Sequence, residues 1–399
     1  MRAARITKAA ALLLAGSLAL AACASDEKGG GSASGESSGG DLKIGLAYDT
    51  GGRGDRSFND SAHAGVEAAI KDHGGKLSEL SPNADASNRA DLLTQLADDG
   101  YNPVIAVGFA YGDVIGDVAK QYPDTNFAII DSSVAEIGAD NLTGLLFAEE
   151  QGSFLAGVAA ALKTTTNHVG FVGGVDQALI HKFEAGFVAG AEAAKPDIKV
   201  DTQYLSPEGD FSGFNDPAKG QITAQGMFDA GADIVYHAAG GSGLGVFQAA
   251  AAANKRAIGV DSDQYNTVDD PALKAVIMTS MLKRVDNAVE AYIGDFVGGK
   301  VQGGKDVVND LSTEGVGLAT SGGFIDDIQT QIDEYRQKII DGDIEVPSTR
   351  LSSDAGPRPA GARLHRWSRR RRVRATASRV LHLECGARAR RRGDGARHG

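Results

Sequence analysis

Short apolar, β-branched runs alternate with longer helical patterns over some three hundred residues, from Asp41 to about Thr349. That alternation constrains the fold more than any other feature, because successive strand–helix units place their strands side by side in a parallel sheet with helices on its faces. The spacing predicts strands over 42–48, 103–107, 126–130, 168–172, 199–204, 234–237, 256–260 and 276–281. Helices are predicted over 61–71, 86–99, 114–121, 149–162, 177–194, 217–230, 243–253, 284–297 and 326–340, with Asp216-Pro217 reading as an N-cap followed by proline at the first helical position. Three hundred residues exceed what one core usually serves. The two series, divided near residues 147–150 with returning crossings after about residue 260, describe an α/β chain with two doubly wound lobes around a cleft, all within residues 41–350.

The flanks of this body read differently. Arg2, Arg5 and Lys8 precede a dozen mostly apolar residues, Ala9 to Leu20, which fall short of the roughly 20 needed to span a bilayer. Leu20-Ala21-Ala22-Cys23 closes the stretch and resembles a bacterial lipobox. Residues 1–22 are therefore expected to be a cleaved signal peptide and Cys23 to carry a diacyl anchor, the two-chain attachment that holds stably to a membrane. Residues 24–40 are rich in Gly and Ser and hold no apolar residue able to seed a core, a flexible tether with a reach of roughly 20–25 Å.

Charge separates the body from the other end. The whole chain carries a formal −12, yet residues 356–399 hold fourteen Arg, no Lys and only Glu384 and Asp394 as acids, so the preceding 355 residues stand at −24. A body that acidic repels nucleic acid and anionic lipid. Lysine vanishes and the only tryptophan, Trp367, appears in the Arg-rich tail, which reads as disordered or as an out-of-frame translation and is assigned no function. Cys385 lies in that tail, leaving the body without a disulfide.

In doubly wound sheets ligands sit at the carboxyl ends of strands. The first predicted strand runs into Asp49-Thr50-Gly51-Gly52-Arg53-Gly54-Asp55-Arg56-Ser57-Phe58-Asn59, where glycines admit a ligand, Asp and Asn supply acceptors and donors, and Phe58 offers an aromatic face. Asp131, Asp261 and Lys283 each follow a strand. Any one of them could be an ordinary helix cap or half of an ion pair between Lys283 and Asp261, but together they favour one cleft.

The segments Asp55-Arg56-Ser57-Phe58-Asn59, Phe127-Ala128-Ile129-Ile130-Asp131, Phe183-Glu184-Ala185-Gly186-Phe187-Val188-Ala189-Gly190, Ala239-Gly240-Gly241-Ser242-Gly243 and Ile258-Gly259-Val260-Asp261-Ser262-Asp263 resemble the basic membrane protein family. Its members are lipoprotein substrate-binding proteins, similar to the purine nucleoside receptor of spirochaetes, that feed ABC importers. The resemblance covers about residues 42–347. It implies a type I periplasmic-binding-protein-like fold, a purine nucleoside as ligand, an ABC permease as partner, an extracytoplasmic lipid-anchored monomer, and neither catalysis nor a cofactor. Carried onto this chain, it implies that Phe58 stacks on the purine with Phe183 or its rival Phe214 opposite, and that Asp131 reads the base edge with Asn59 or Asp49. Asp261 and Lys283 would bind the ribose, while Gly240 and Gly241 let backbone approach it.

Other chemistries fit less well. The run Gly240-Gly241-Ser242-Gly243-Leu244-Gly245 follows a strand, with Asp261 about twenty residues on, yet fails the G-x-G-x-x-G spacing of a dinucleotide-binding oxidoreductase. It also lacks the G-x-S-x-G of a hydrolase elbow. His63, His73, His168, His181 and His237 are scattered singly without metal-ligand spacing. A sugar or amino acid derivative remains the nearest alternative ligand.

Overall fold

The computed structural model describes residues 42–350; the leader over 1–22, Cys23, the 24–40 segment and the 356–399 tail lie outside the described residues. Twelve strands appear in chain order: β1 (Lys43–Ala47), β2 (Lys76–Leu80), β3 (Val104–Ala106), β4 (Phe127–Ile130), β5 (Leu142–Phe147), β6 (His168–Val175), β7 (Lys199–Ser206), β8 (Ile234–Ala238), β9 (Arg256–Asp261), β10 (Ile277–Lys283), β11 (Lys305–Asn309) and β12 (Val316–Leu318). They form two six-stranded sheets, ordered β2-β1-β3-β4-β5-β11 and β7-β6-β8-β9-β10-β12. One strand order thus occurs twice. Pairing is parallel throughout except where β12 runs antiparallel to β10.

Strands covered by helices on both faces should read as unbroken apolar runs. Val104-Ile105-Ala106 and Phe127-Ala128-Ile129-Ile130 are buried at every position. β2, β5, β11 and β12 were not anticipated, for physical reasons. β2 and β11 are edge strands whose half-exposed positions include Glu79, Val307 and Val308, and β5 is interrupted by Gly144. β11 and β12 are short strands whose partners lie far back in the chain, Lys305 pairing with Thr143.

The chain passes between the sheets three times. After β5 it enters helix Glu149–Lys163, which packs on helix Ala178–Ala194, β10 and β12. Glycines let those two helices meet closely, since a Cβ on Gly190 would lie 1.9 Å from the Phe154 carbonyl oxygen and one on Gly157 2.0 Å from that of Phe187. After β10 the chain returns through helix Val285–Val297, which packs on helix Phe58–His73 and leads into β11. Residues 310–315 then carry it back to β12. The crossings are tied together, Ala148 N–H donating to the Asn309 carbonyl and Arg284 N–H to that of Gly315, each at 2.9 Å.

Candidate ligand-binding site

Strand order reverses between β1 and β3 in the first sheet and between β6 and β8 in the second, the point where such sheets open a crevice at their carboxyl ends. A cavity with about 530 Å³ of empty space, counted out to its open mouth, lies there, within the roughly 300–1,000 Å³ typical of small-molecule sites. One wall comes from the first sheet: Asp49 and Thr50 after β1, Phe58 and Asn59 at the start of helix Phe58–His73, Phe109 after β3, Asp131 after β4. The other comes from the second: Phe183, with Gly240 and Gly241 after β8, Asp261 closing β9 and Lys283 closing β10. All nine residues singled out in the sequence line this one cavity, and so does Phe214.

Helix Phe58–His73 begins three residues earlier than its pattern predicts, and Asp55 is the reason. Its carboxylate accepts from the N–H groups of Ser57, Asn59 and Asp60 at 2.8–3.1 Å, satisfying donors that the first helical turn leaves orphaned. Phe58 and Asn59 are thereby fixed on a helix rather than in a loop. Asn59 Oδ1 accepts from the Asp49 N–H at 2.9 Å, which settles the orientation of the amide and leaves its Nδ2 donor without a partner among the described residues. Thr50 Oγ1 and Asp131 Oδ1 are also buried with no hydrogen-bond partner in the described residues. Two buried polar atoms of the cavity wall are thus left unpaired, where buried polar groups ordinarily are paired.

Asp131 and Asp261 occupy corresponding places in the two repeated sheets, the first just after and the second at the end of the fourth strand of its order. Both adopt left-handed backbone, with φ of 71° and 62°, a conformation uncommon for residues other than glycine and concentrated at functional sites. Asp261 Oδ2 accepts from Ser57 Oγ at 2.6 Å. Lys283 is ion-paired, but not with Asp261, the partner weighed as an alternative to ribose binding: its Nζ lies 2.6 Å from Asp131 Oδ2 and 3.3 Å from Glu149 Oε1, and all three side chains are at most 3% exposed. The ammonium also sits 4.9, 5.1 and 5.7 Å from the ring centroids of Phe58, Phe147 and Phe183. Phe214 belongs to a different group, 6.4 Å from Phe109 across the cleft.

Burial dominates the titration of this site. It pushes the carboxyls of Asp49 and Asp261 up to about 7 and that of Asp55 to about 6, with backbone donors opposing it at Asp49 and Asp55 and Lys283 opposing it at Asp261. Asp131 is raised by burial and drawn back by Lys283. Burial works against the charge of Lys283, but Asp131, Glu149 and Asp261 outweigh it and hold the ammonium above its ordinary range. The pair is therefore ionised at neutral pH.

His237, the penultimate residue of β8, is fully buried away from the cavity, its ring against Gly243 and 5.1 Å from Phe247, and burial lowers it to about 4. Asp55, Ser57, Phe109 and Glu149 were not singled out as site residues. Phe109 follows β3, the kind of position that identified Asp131 and Lys283, so the same rule would have found it, whereas Glu149 follows β5, a strand the pattern does not predict. Among the described residues no cluster of three or more His, Cys, Asp or Glu is placed to hold a metal ion, and no helix is long and apolar enough to cross a membrane.

Residues 42–350 match the Bmp family, described as ABC transporter substrate-binding protein PnrA-like. A CD4+ T-cell-stimulating antigen of Listeria innocua is 37% identical over 85% of this chain and 97% of its own length. The ABC transporter nucleoside-binding protein BmpA of Lactococcus lactis is 35% identical over 86% and 99%, and basic membrane protein A of Borreliella burgdorferi 32% identical over 75% and 86%. Among solved structures, an ABC transporter solute-binding protein from Aeropyrum pernix superposes with a TM-score of 0.67 at 27% identity, covering 78% of this chain and 94% of that one.

Proposed function

The chain belongs to the Bmp family of PnrA-like substrate-binding proteins of ABC transporters, and we propose that its cleft takes a purine nucleoside for uptake without altering it covalently. The observation that carries this reading is the conjunction, in one cavity, of aromatic faces with unpaired polar groups: Phe58 and Phe183 beside the free Asp131 Oδ1 and Asn59 Nδ2. A donor and an acceptor in the same cavity suit the edge of a heterocycle, and stacking on a base is worth roughly 1–3 kcal/mol. Phe58 takes one face of the purine and Phe183 the other, with Phe214 the rival. Asp261 accepts from ribose hydroxyls, charge-assisted bonds about twice as strong as neutral ones. Lys283, already engaged by two carboxylates, donates to the sugar only as a further contact and chiefly holds Asp131 in place.

Asp49, Asp55, Asp131 and Asp261 stand against the single ammonium of Lys283 in the cavity lining, a balance that disfavours a phosphate and so favours nucleosides over nucleotides. The name of the Lactococcus relative as nucleoside-binding supports the same ligand class. Family membership gives an extracytoplasmic binding protein that works with a transporter permease; a diacyl anchor at Cys23, on a monomer, completes the proposed arrangement. The test is calorimetric titration of the protein, stripped of carried-over ligand by unfolding and refolding, with guanosine, adenosine, inosine, cytidine and ribose. Saturable purine nucleoside binding that Asp261→Ala abolishes supports the reading. Silence toward every nucleoside would exclude it and turn attention to sugars and amino acid derivatives.

A further inference from the structure

Ser57 occupies the N-cap position of helix Phe58–His73, where a serine hydroxyl ordinarily accepts from an N–H of the first turn. It makes no such bond. Asp55 has taken over that task, accepting from Asn59 and Asp60 N–H, and the Ser57 hydroxyl, fully buried, instead donates across the cleft to Asp261 Oδ2 at 2.6 Å, with the Val260 carbonyl at 3.2 Å as its other neighbour. The second sheet answers in kind: Ser262 Oγ donates to the Ser57 carbonyl at 2.9 Å, and Gln264 Nε2 and Thr267 Oγ1 donate to that of Arg56 at 3.2 and 3.1 Å.

We infer that Ser57 is a positioning residue for the ligand: it orients the Asp261 carboxylate for ribose only when the lobes are closed, so that closure and sugar recognition are one event. The inference rests on the nucleoside reading above. With Oδ2 held by Ser57, the other oxygen of Asp261 faces the cavity as a directed acceptor, on a residue whose left-handed backbone already limits where the side chain can point. Were the lobes to part and the Ser57–Asp261 bond to break, the carboxylate would be free to rotate, with no preferred alignment toward a sugar. The selectivity for ribose hydroxyls is then a property of the closed form alone.

A general weakening of closure would reduce affinity for every ligand alike, whereas loss of orientation at Asp261 penalises only ligands that use their hydroxyls. Guanosine and 2′,3′-dideoxyguanosine separate the two. In Ser57→Ala the affinity for guanosine should fall about tenfold or more, the scale of a hydrogen bond to a charged group, while that for the dideoxy analogue changes less than about threefold. Ser262→Ala, which breaks an interlobe bond without touching Asp261, should weaken both ligands by the same factor. An unchanged ratio between the two ligands in Ser57→Ala, with wild-type protein discriminating normally, would overturn the inference alone. Wild-type protein that binds neither ligand overturns the nucleoside reading and this inference with it. Circular dichroism and melting of each variant identify a folding defect, and should Ser57→Ala not fold, Ser57→Cys, which keeps a weak donor, is expected to give an intermediate ratio.

Discussion

Replacing Lys283 with methionine removes the charge from the buried trio while keeping most of the side-chain volume. Asp131 and Glu149, 3% and 1% exposed, would then face each other and Asp261 with no ammonium between them. Breaking a buried pair by deleting one partner costs about 3–5 kcal/mol, because the remaining charge is left in a poorly solvated site. Unfolding entropies near 2.1 cal/mol/K per residue, over some three hundred residues, make that a fall in Tm of roughly 5–8 °C. The deficit should depend on pH, with a sign set by Asp131. Without Lys283 the largest influence opposing burial on that carboxyl is gone while Glu149 still raises it, so its value in the folded protein rises further above the unfolded one. The folded variant then retains a proton that the unfolded chain releases, and stability is lost as pH climbs through the raised value. The gap to wild type is thus widest near pH 8 and narrows toward pH 5. Adding Asp131→Asn should recover much of the loss, since the pair rather than one partner is then absent. Calorimetric melting of the three proteins between pH 5 and 8 reads all of this; a Tm within 2 °C of wild type at pH 8, or a deficit that does not shrink on acidification, would refute the argument.

Three further outcomes follow from the cavity. Phe183→Ala should weaken guanosine binding by about 1–3 kcal/mol while Phe214→Ala costs under about 1 kcal/mol, and the reverse order in titration would make Phe214 the second stacking ring. Asp261 has a carboxyl raised to about 7 by burial, and a ribose hydroxyl donates best to its ionised form, so nucleoside binding should release protons and tighten as pH rises from 6 to 8; titration in buffers of different ionisation enthalpy would detect it, and heats that do not vary with the buffer would count against Asp261. Gly108→Ala places a Cβ about 2.5 Å from Asp49 Oδ2 at a φ of 104°, which should lower stability by more than about 1 kcal/mol and impair binding, as read by urea unfolding and titration.

The strand ends carried most of what the sequence reveals about this site. Asp131, Asp261 and Lys283 could be found because a parallel strand–helix unit always delivers its next residue to the same edge, whatever the rest of the fold does. What they do there was harder to read. The partner of Lys283 depends on Glu149, a residue 134 positions earlier that becomes its neighbour only because two crossings lie side by side. Asp55 looked like one more acceptor in a glycine-rich loop, yet its three bonds to backbone N–H make it a helix cap, and no spacing rule separates the two roles. β11 and β12 were missed because edge strands need little apolar patterning of their own when their partners come from distant segments.

Three strands of backbone cross from one sheet to the other, held together by hydrogen bonds at Ala148 and Arg284. A single tether would let the halves drift apart in any direction, but three bound in parallel leave rotation as the soft motion, like a door on its pins. Glu149 and Lys283 flank the first two crossings directly, so their ion cluster sits at the fulcrum and a modest swing disturbs it little. Ser57 and Asp261 lie beside the second crossing as well, Asp261 pairing with Leu282 in the sheet and Ser61 Oγ accepting from the Asp286 N–H at 3.1 Å. The buried charges and the Ser57–Asp261 contact are thus gathered where the two halves join, so the ligand site is anchored to the crossings themselves.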